Sequence, residues 1–242
     1  MMNKFLSIVV VFSFSFMNLE TANAQQNTPE ILVQKTFAKD IAEKTSNNLK
    51  ATLKPLEAAF NRKDSPYNRY WLSYAIYYQA ILANLQNRKE EAEMHIDRAI
   101  ALLIPIKNDA ESLALLSLQQ GYSTQFKGYF ALMQIGKQAM VNAKRAVAIN
   151  PKSLRANLAL AINDFYTPKL FGGGELAPFY LKKALEVSEI NPIDSLPNWG
   201  KDQVYELLVK HFRKIDQDNI AQEYLNQGIA EFPESELLSD LN

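Results

Sequence analysis

Leu225-Asn226-Gln227-Gly228-Ile229, with Pro233 four residues on, reads as an amphipathic helix that keeps one small residue on its packed face and is then stopped by proline. The same phrase occurs three times upstream with other fillers. Leu181-Lys182-Lys183-Ala184-Leu185 precedes Pro192, Ala143-Lys144-Arg145-Ala146-Val147 precedes Pro151, and Ile96-Asp97-Arg98-Ala99-Ile100 precedes Pro105. The small residues at 99, 146, 184 and 228 stand 47, 38 and 44 positions apart. One supersecondary unit recurring at a loose period is the signature of stacked helix hairpins. It says what kind of surface the chain builds, and leaves open what binds there.

Working outward, each phrase acquires a partner helix. Ser65-Pro66 is a helix start, with serine as N-cap and proline at the first helical position. The helix after it carries Tyr67, Tyr70, Trp71, Tyr74, Tyr77 and Tyr78, turns near Asn84–Arg88 and pairs with a helix from Lys89 to about Ile104. Asp109 opens the next helix, which Gly121 is expected to close. A short helix over Phe126–Ile135 and the motif helix after Gly136 follow. Ser153 caps the third unit, whose second helix runs from about Leu176 to Ile190. A Pro-rich linker, Asn191–Gly200, leads to the last hairpin, and Ser235 is a plausible cap for a short tail. Residues 30–62 lack the phrase. They read as one or two helices with Pro55 as a break, an N-terminal cap over the open end of the array. The fold class is all-α, with hairpins at about 65–105, 109–151, 153–192 and 202–235.

The ends and the composition bound the function classes. Lys4, the apolar or small-residue run Phe5–Phe16 and Ala22-Asn23-Ala24 form a signal peptide, cleaved after Ala24. Twelve residues rise about 18 Å as a helix, short of a bilayer core of roughly 30 Å. The expected organisation is a signal peptide over 1–24 and one helical domain over 25–242, periplasmic or secreted, with no stable membrane insertion. Twenty-six cations balance twenty-six acids, so no net field steers the chain to nucleic acid or an anionic membrane. The absence of cysteine excludes disulfides, thiol catalysis and cysteine metal sites.

The last hairpin resembles a tetratricopeptide repeat (TPR). Over Asp202–Ser235 the first-helix pattern appears as Tyr205, Leu208, Val209 and Phe212, the second as Ala221, Leu225 and Gly228, with Pro233 closing a 34-residue unit. Val209 stands where the repeat has a small residue. The other units depart further: Trp71 and Tyr78 fit the first, with about five extra residues before Ala92, Ile96 and Ala99, and the middle two keep only their second helix. The resemblance implies a TPR-like array of antiparallel hairpins, an α-α superhelix that binds a protein or peptide on its concave side. The element Pro168-x-x-Phe171-Gly172-Gly173-Gly174, between Arg155-Ala156 and Lys183-Ala184, is similar to an insert of exported bacterial TPR-like proteins. Some of these serve periplasmic solute transport.

Candidate binding residues follow from register. Tyr70 and Tyr77 form a second aromatic stripe beside Trp71, Tyr74 and Tyr78 and are placed on the concave groove, where tyrosine offers apolar area plus a hydroxyl. Lys210, Arg213 and Lys214 are candidates for holding a carboxylate or an acidic peptide, and Arg155 and Asn157 for the third unit. Phe171, Gly172, Gly173 and Gly174 form a loop whose backbone N–H groups face either an anion or, in the simpler reading, the carboxylate of Glu175. His95 and His211, the two histidines, lack a metal-ligand spacing. No catalytic elbow, zinc motif or dinucleotide fingerprint is present. The expectation is a non-enzymatic, cofactor-free and metal-free interaction scaffold with a protein or peptide partner in the cell envelope. The alternative is a small-ligand-binding component of an envelope solute transport system.

Overall fold

The computed structural model describes residues 28–187 and 197–241. The expected signal peptide, residues 188–190 and most of the linker lie outside them, and the helix expected to run to Ile190 stops at Leu185. Eleven α-helices follow one another among the described residues. An N-terminal pair, α1 (Pro29–Ala42) and α2 (Asn47–Arg62), precedes α3 (Pro66–Leu85) and α4 (Lys89–Leu103), then α5 (Ala110–Ser123) and α6 (Tyr129–Ile149). After these come α7 (Leu154–Tyr166) and α8 (Ala177–Leu185), α9 (Lys201–Lys214) and α10 (Asp218–Glu231), and a last turn, α11 (Glu236–Ser239). Each consecutive pair packs as a hairpin, and α1, α3, α5 and α7 also touch in series, so the first helices of the hairpins lie side by side.

The helix starts are chemical. Ser65, Asp109 and Ser153 accept from the N–H of Asn68 at 3.2 Å, Ser112 at 2.8 Å and Ala156 at 3.0 Å, each satisfying an otherwise orphaned donor. The small residues sit at the closest approaches. Ala99, Ala146 and Ala184 are fully buried. A Cβ at Gly228 would come within 2.9 Å of Leu238 Cδ1 and 3.0 Å of Tyr205 Cβ. Buried serines bridge hairpin partners: Ser73 Oγ donates to the Ala99 carbonyl at 2.8 Å and Ser117 Oγ to that of Ala139 at 2.8 Å.

Three expectations are corrected. The N-terminal break is at Lys44, whose φ is +53°, while Pro55 lies inside α2 on its exposed side. The break is set by buried Asp40, whose carboxylate accepts from the N–H of Asn48 at 3.1 Å and of Leu49 at 2.8 Å and so caps α2 from outside. Gly121 does not close α5, which runs to Ser123 against Asn163. Phe126–Ile135 is not a separate helix, since α6 continues through Gly136 for 21 residues. Its packing on α5 and α7 outweighs the roughly 1 kcal/mol that a helical glycine costs.

Candidate functional site

The first helices meet at a closed seam. Tyr70, on α3, is 5% exposed, and its hydroxyl accepts from Trp199 Nε1 at 3.1 Å. The Trp199 ring stacks on Tyr74 at 5.8 Å. The backbone on either side of that tryptophan is held: Arg155 donates to the Trp199 carbonyl at 3.1 Å, and the Asn198 N–H donates to Glu30 Oε2 at 2.8 Å. Arg155 also pairs with Glu111 at 2.6 Å, which accepts from Ser153 Oγ at 2.7 Å. Gly200 completes the approach: its φ is +104°, and a Cβ would meet Leu158 Cδ2 at 2.8 Å. Thus the stretch after the linker lies in the seam and covers the groove that the sequence assigned to a partner.

This placement changes the sequence-derived site. Tyr77 is fully buried, edge-on to Tyr122 at 5.4 Å, and joins α3 to α5 rather than facing solvent. Burial raises the Tyr70, Tyr74 and Tyr77 phenols well above their ordinary range, so all three stay protonated. Asn157 is fully buried and donates to the carbonyls of Pro151 at 2.9 Å and Ser153 at 2.8 Å, holding the turn before α7. Tyr70 and Arg155 do come together, at opposite ends of Trp199. The helix face of Tyr77 was misread because α3 is buried at fourteen consecutive positions, Tyr70–Ala83, and such a helix has no open stripe to find.

The glycine loop is filled from within, by Asp164 rather than Glu175. Asp164 Oδ2 accepts from the N–H of Gly174 at 3.0 Å, Leu176 at 2.9 Å and Ala177 at 2.8 Å. Gly172 and Gly174 have φ of +81° and +88°. A Cβ at Gly173 would fall 2.1 Å from the Thr167 carbonyl oxygen. These needs account for all three glycines. The loop carries Leu170 outward, 89% exposed.

An open cluster lies where α7 and α9 end together. Lys214 Nζ stands 5.5 Å from the Phe165 ring centroid, and Lys182 Nζ, from α8, 5.4 Å from that of Phe212. Burial and the charges of Lys214 and Lys182 lower the pKa of His211 from its ordinary value. Among the described residues none of these three side chains forms an ion pair. Asp164, the acid that acts on His211, is committed to the loop amides. Of the other predicted cations, Lys210 pairs with Glu206, and Arg213 donates to the Leu241 carbonyl at 2.8 Å. The sequence reading missed Phe165, Lys182 and His211 as site residues. Trp199, the single tryptophan of a polar, Pro-rich linker, was the available signal for the seam.

Two neighbouring acids on α9 are perturbed. Burial pushes Asp202 up to about 6, although Gln203 N–H and Ser235 Oγ stabilise its charge, and burial also raises Glu206 against the pull of Lys210. Both are spent on local partners, Asp202 on Ser235 at 3.2 Å and Glu206 on Lys210. No group of three or more metal-ligating side chains occurs among the described residues.

No protein-family model matches the chain, and no curated protein matches its sequence. Solved structures do match in shape. A thermophilic TPR protein of Thermus thermophilus superposes with a TM-score of 0.56 at 16% identity, over 87% of this chain and 93% of that one. The HusA haemophore of Porphyromonas gingivalis superposes with a TM-score of 0.54 at 20% identity, over 79% of this chain and 96% of that one. The fold is a TPR-like array of helix hairpins. At these identities the likeness carries the fold and no activity.

Proposed function

We propose that the chain is an exported, non-enzymatic interaction module that takes an acidic, aromatic-bearing segment of an envelope protein at the ends of α7 and α9. The supporting observation is the cluster of Lys182, His211 and Lys214 around the Phe165 and Phe212 rings. Its cations have no ion-pair partner among the described residues. Cations held at ring faces are partly desolvated and preoriented, so a carboxylate arriving there meets charge without having to order it. The closed seam at Trp199 supplies rigidity, and Tyr70, first assigned to binding, serves it, while Tyr77 packs on Tyr122.

The test is capture from a gently solubilised cell envelope with the purified protein and with its Lys182→Glu/Lys214→Glu variant. Proteins retained by the parent and released by the variant identify the partner. Equal retention by both would move the site elsewhere.

A second reading, a small-ligand carrier, draws on the same cluster. One structural neighbour is a haemophore, and a flat apolar ring bearing carboxylates suits aromatic faces edged by lysines. Haemin titration followed by absorbance should saturate with the parent and weaken at least about tenfold in the charge-reversed variant, the equivalent of ~1.4 kcal/mol. No saturable change with the parent would dismiss the carrier.

A further inference from the structure

The zero net charge conceals a segregated charge distribution. From Ser112 to Asn163 the chain contains no Asp or Glu, while Lys127, Lys137, Lys144, Arg145, Lys152 and Arg155 fall within the same stretch. The whole of α6 lies inside it. Of the other second helices, α4 carries Glu90, Glu91, Glu93 and Asp97 and α10 carries Asp218, Glu223 and Glu231, whereas the nine-residue α8 also has lysines, Lys182 and Lys183, and no acid. Among the three long second helices, α4, α6 and α10, only α6 carries no acid.

Its exposed face is continuous. Only Ala139, Asn142, Ala143 and Ala146 of α6 are buried, and Phe130, Gln134, Lys137, Val141, Lys144 and Ala148 form an exposed stripe at alternating steps of four and three. Among the described residues Lys137 and Lys144 have no ion-pair partner. Lys127, by contrast, is spent on Glu93 and Asp97. At the N-terminal end of the stripe Phe130 is 88% and Tyr129 63% exposed. Because α5 and α7 run parallel, the loop that carries Leu170 projects from this same end of the array.

We propose that the outer face of α6 docks reversibly on an anionic phospholipid surface, with Lys137 and Lys144 over headgroup phosphates and Phe130 inserted at the interface. Charge complementarity selects an anionic partner. The form of the face selects a bilayer over a protein: exposed Phe130 and Val141 stand about 16 Å apart along α6 with Lys137 between them, rather than forming one apolar patch. A protein partner needs a matched surface of about 800 Å² on each side, whereas a bilayer interface admits isolated apolar side chains beside lysines. The helix, about 30 Å long, can lie along the surface. No described helix is long and apolar enough to cross a membrane, so the attachment is peripheral.

The experiment is co-sedimentation of the full chain with vesicles of phosphatidylcholine containing phosphatidylglycerol, and with vesicles of phosphatidylcholine alone. The expected result is association with the anionic vesicles only, weakened by salt. It should fall about thirtyfold in Lys137→Ala/Lys144→Ala, at roughly one exposed-lysine increment per side chain, with helicity by circular dichroism unchanged. Phe130→Ser should weaken it further. Association with neutral vesicles too would assign the effect to the apolar Phe5–Phe16 run and overturn the proposal. So would a double variant that binds like the parent. No association with anionic vesicles at low salt also overturns it, and would leave the face to an acidic protein. None of these results depends on Lys182 or Lys214, so this proposal and the peptide-binding one fail separately.

Discussion

The seam around Trp199 and the cluster around Phe165 are assembled from the same materials. Each sets aromatic rings on first helices of hairpins and brings a cation to within 6.0 Å of a ring centroid, Arg155 at Trp199 and Lys214 at Phe165. At the seam another part of the chain has returned: the Asn198 N–H, the Trp199 carbonyl and the indole N–H are each taken up by a side chain from a different helix. At the cluster no segment returns among the described residues, and Lys182 and Lys214 are exposed. Composition therefore does not separate a core from a binding site. What separates them is whether a distant stretch of the same chain arrives to cover the residues.

The sharpest way to break this contrast is Trp199→Ala, which removes a large buried ring, the indole N–H that Tyr70 accepts and the ring face beside Arg155. A loss of about 3–5 kcal/mol is expected, seen in thermal unfolding as a fall of roughly 10 °C for a chain this size. An unchanged melting temperature would mean that the seam is not closed by its own chain. Next comes Asp164→Ala, which strips the carboxylate from the Leu176 and Ala177 amides while Gly174 N–H keeps the Asp164 carbonyl at 2.8 Å, and should cost about 2–3 kcal/mol. Its local reading is faster hydrogen exchange at Leu176 and Ala177 than at Gly174.

Asp202 gives a smaller, pH-dependent term. The folded state, with a pKa of about 6, holds this proton more tightly than the unfolded chain. Its contribution is present near pH 4 and is lost as pH rises through 6. Asp202→Asn should flatten the stability profile over that window by up to about 2 kcal/mol, measured as the difference between parent and variant in denaturant titrations at pH 4 and pH 7. A difference that is constant with pH would show the carboxyl to be charged throughout. At the open cluster the effect on folding should be least: Lys182→Glu/Lys214→Glu should unfold within about 1 kcal/mol of the parent.

Most of the architecture was legible because it is local. The spacing of Ala99, Ala146, Ala184 and Gly228, and the capping residues Ser65, Asp109 and Ser153, act over one helical turn and leave their mark in adjacent residues. What was illegible is long-range. Trp199 reaches Tyr70 across 129 positions, and the loop carboxylate comes from ten positions before Gly174 rather than from Glu175 beside it. Gly136 misled because a glycine is read as a stop unless its packing partners are known. Net charge misled because a sum over the chain discards position: α4 carries four acids and α6 none.

The bond between Glu30 and the Asn198 amide spans 168 positions and joins the first helix to the threshold of the last hairpin. A stack of repeats linked only to nearest neighbours can unravel gradually from either end, each unit melting on its own account. Here the two ends share a fastening, so fraying of α1 loosens the entry to α9 and fraying of α9 releases α1. The chain is thereby turned from a line of semi-independent units into a loop closed on itself. Loss of a terminal helix is a cost to the whole array.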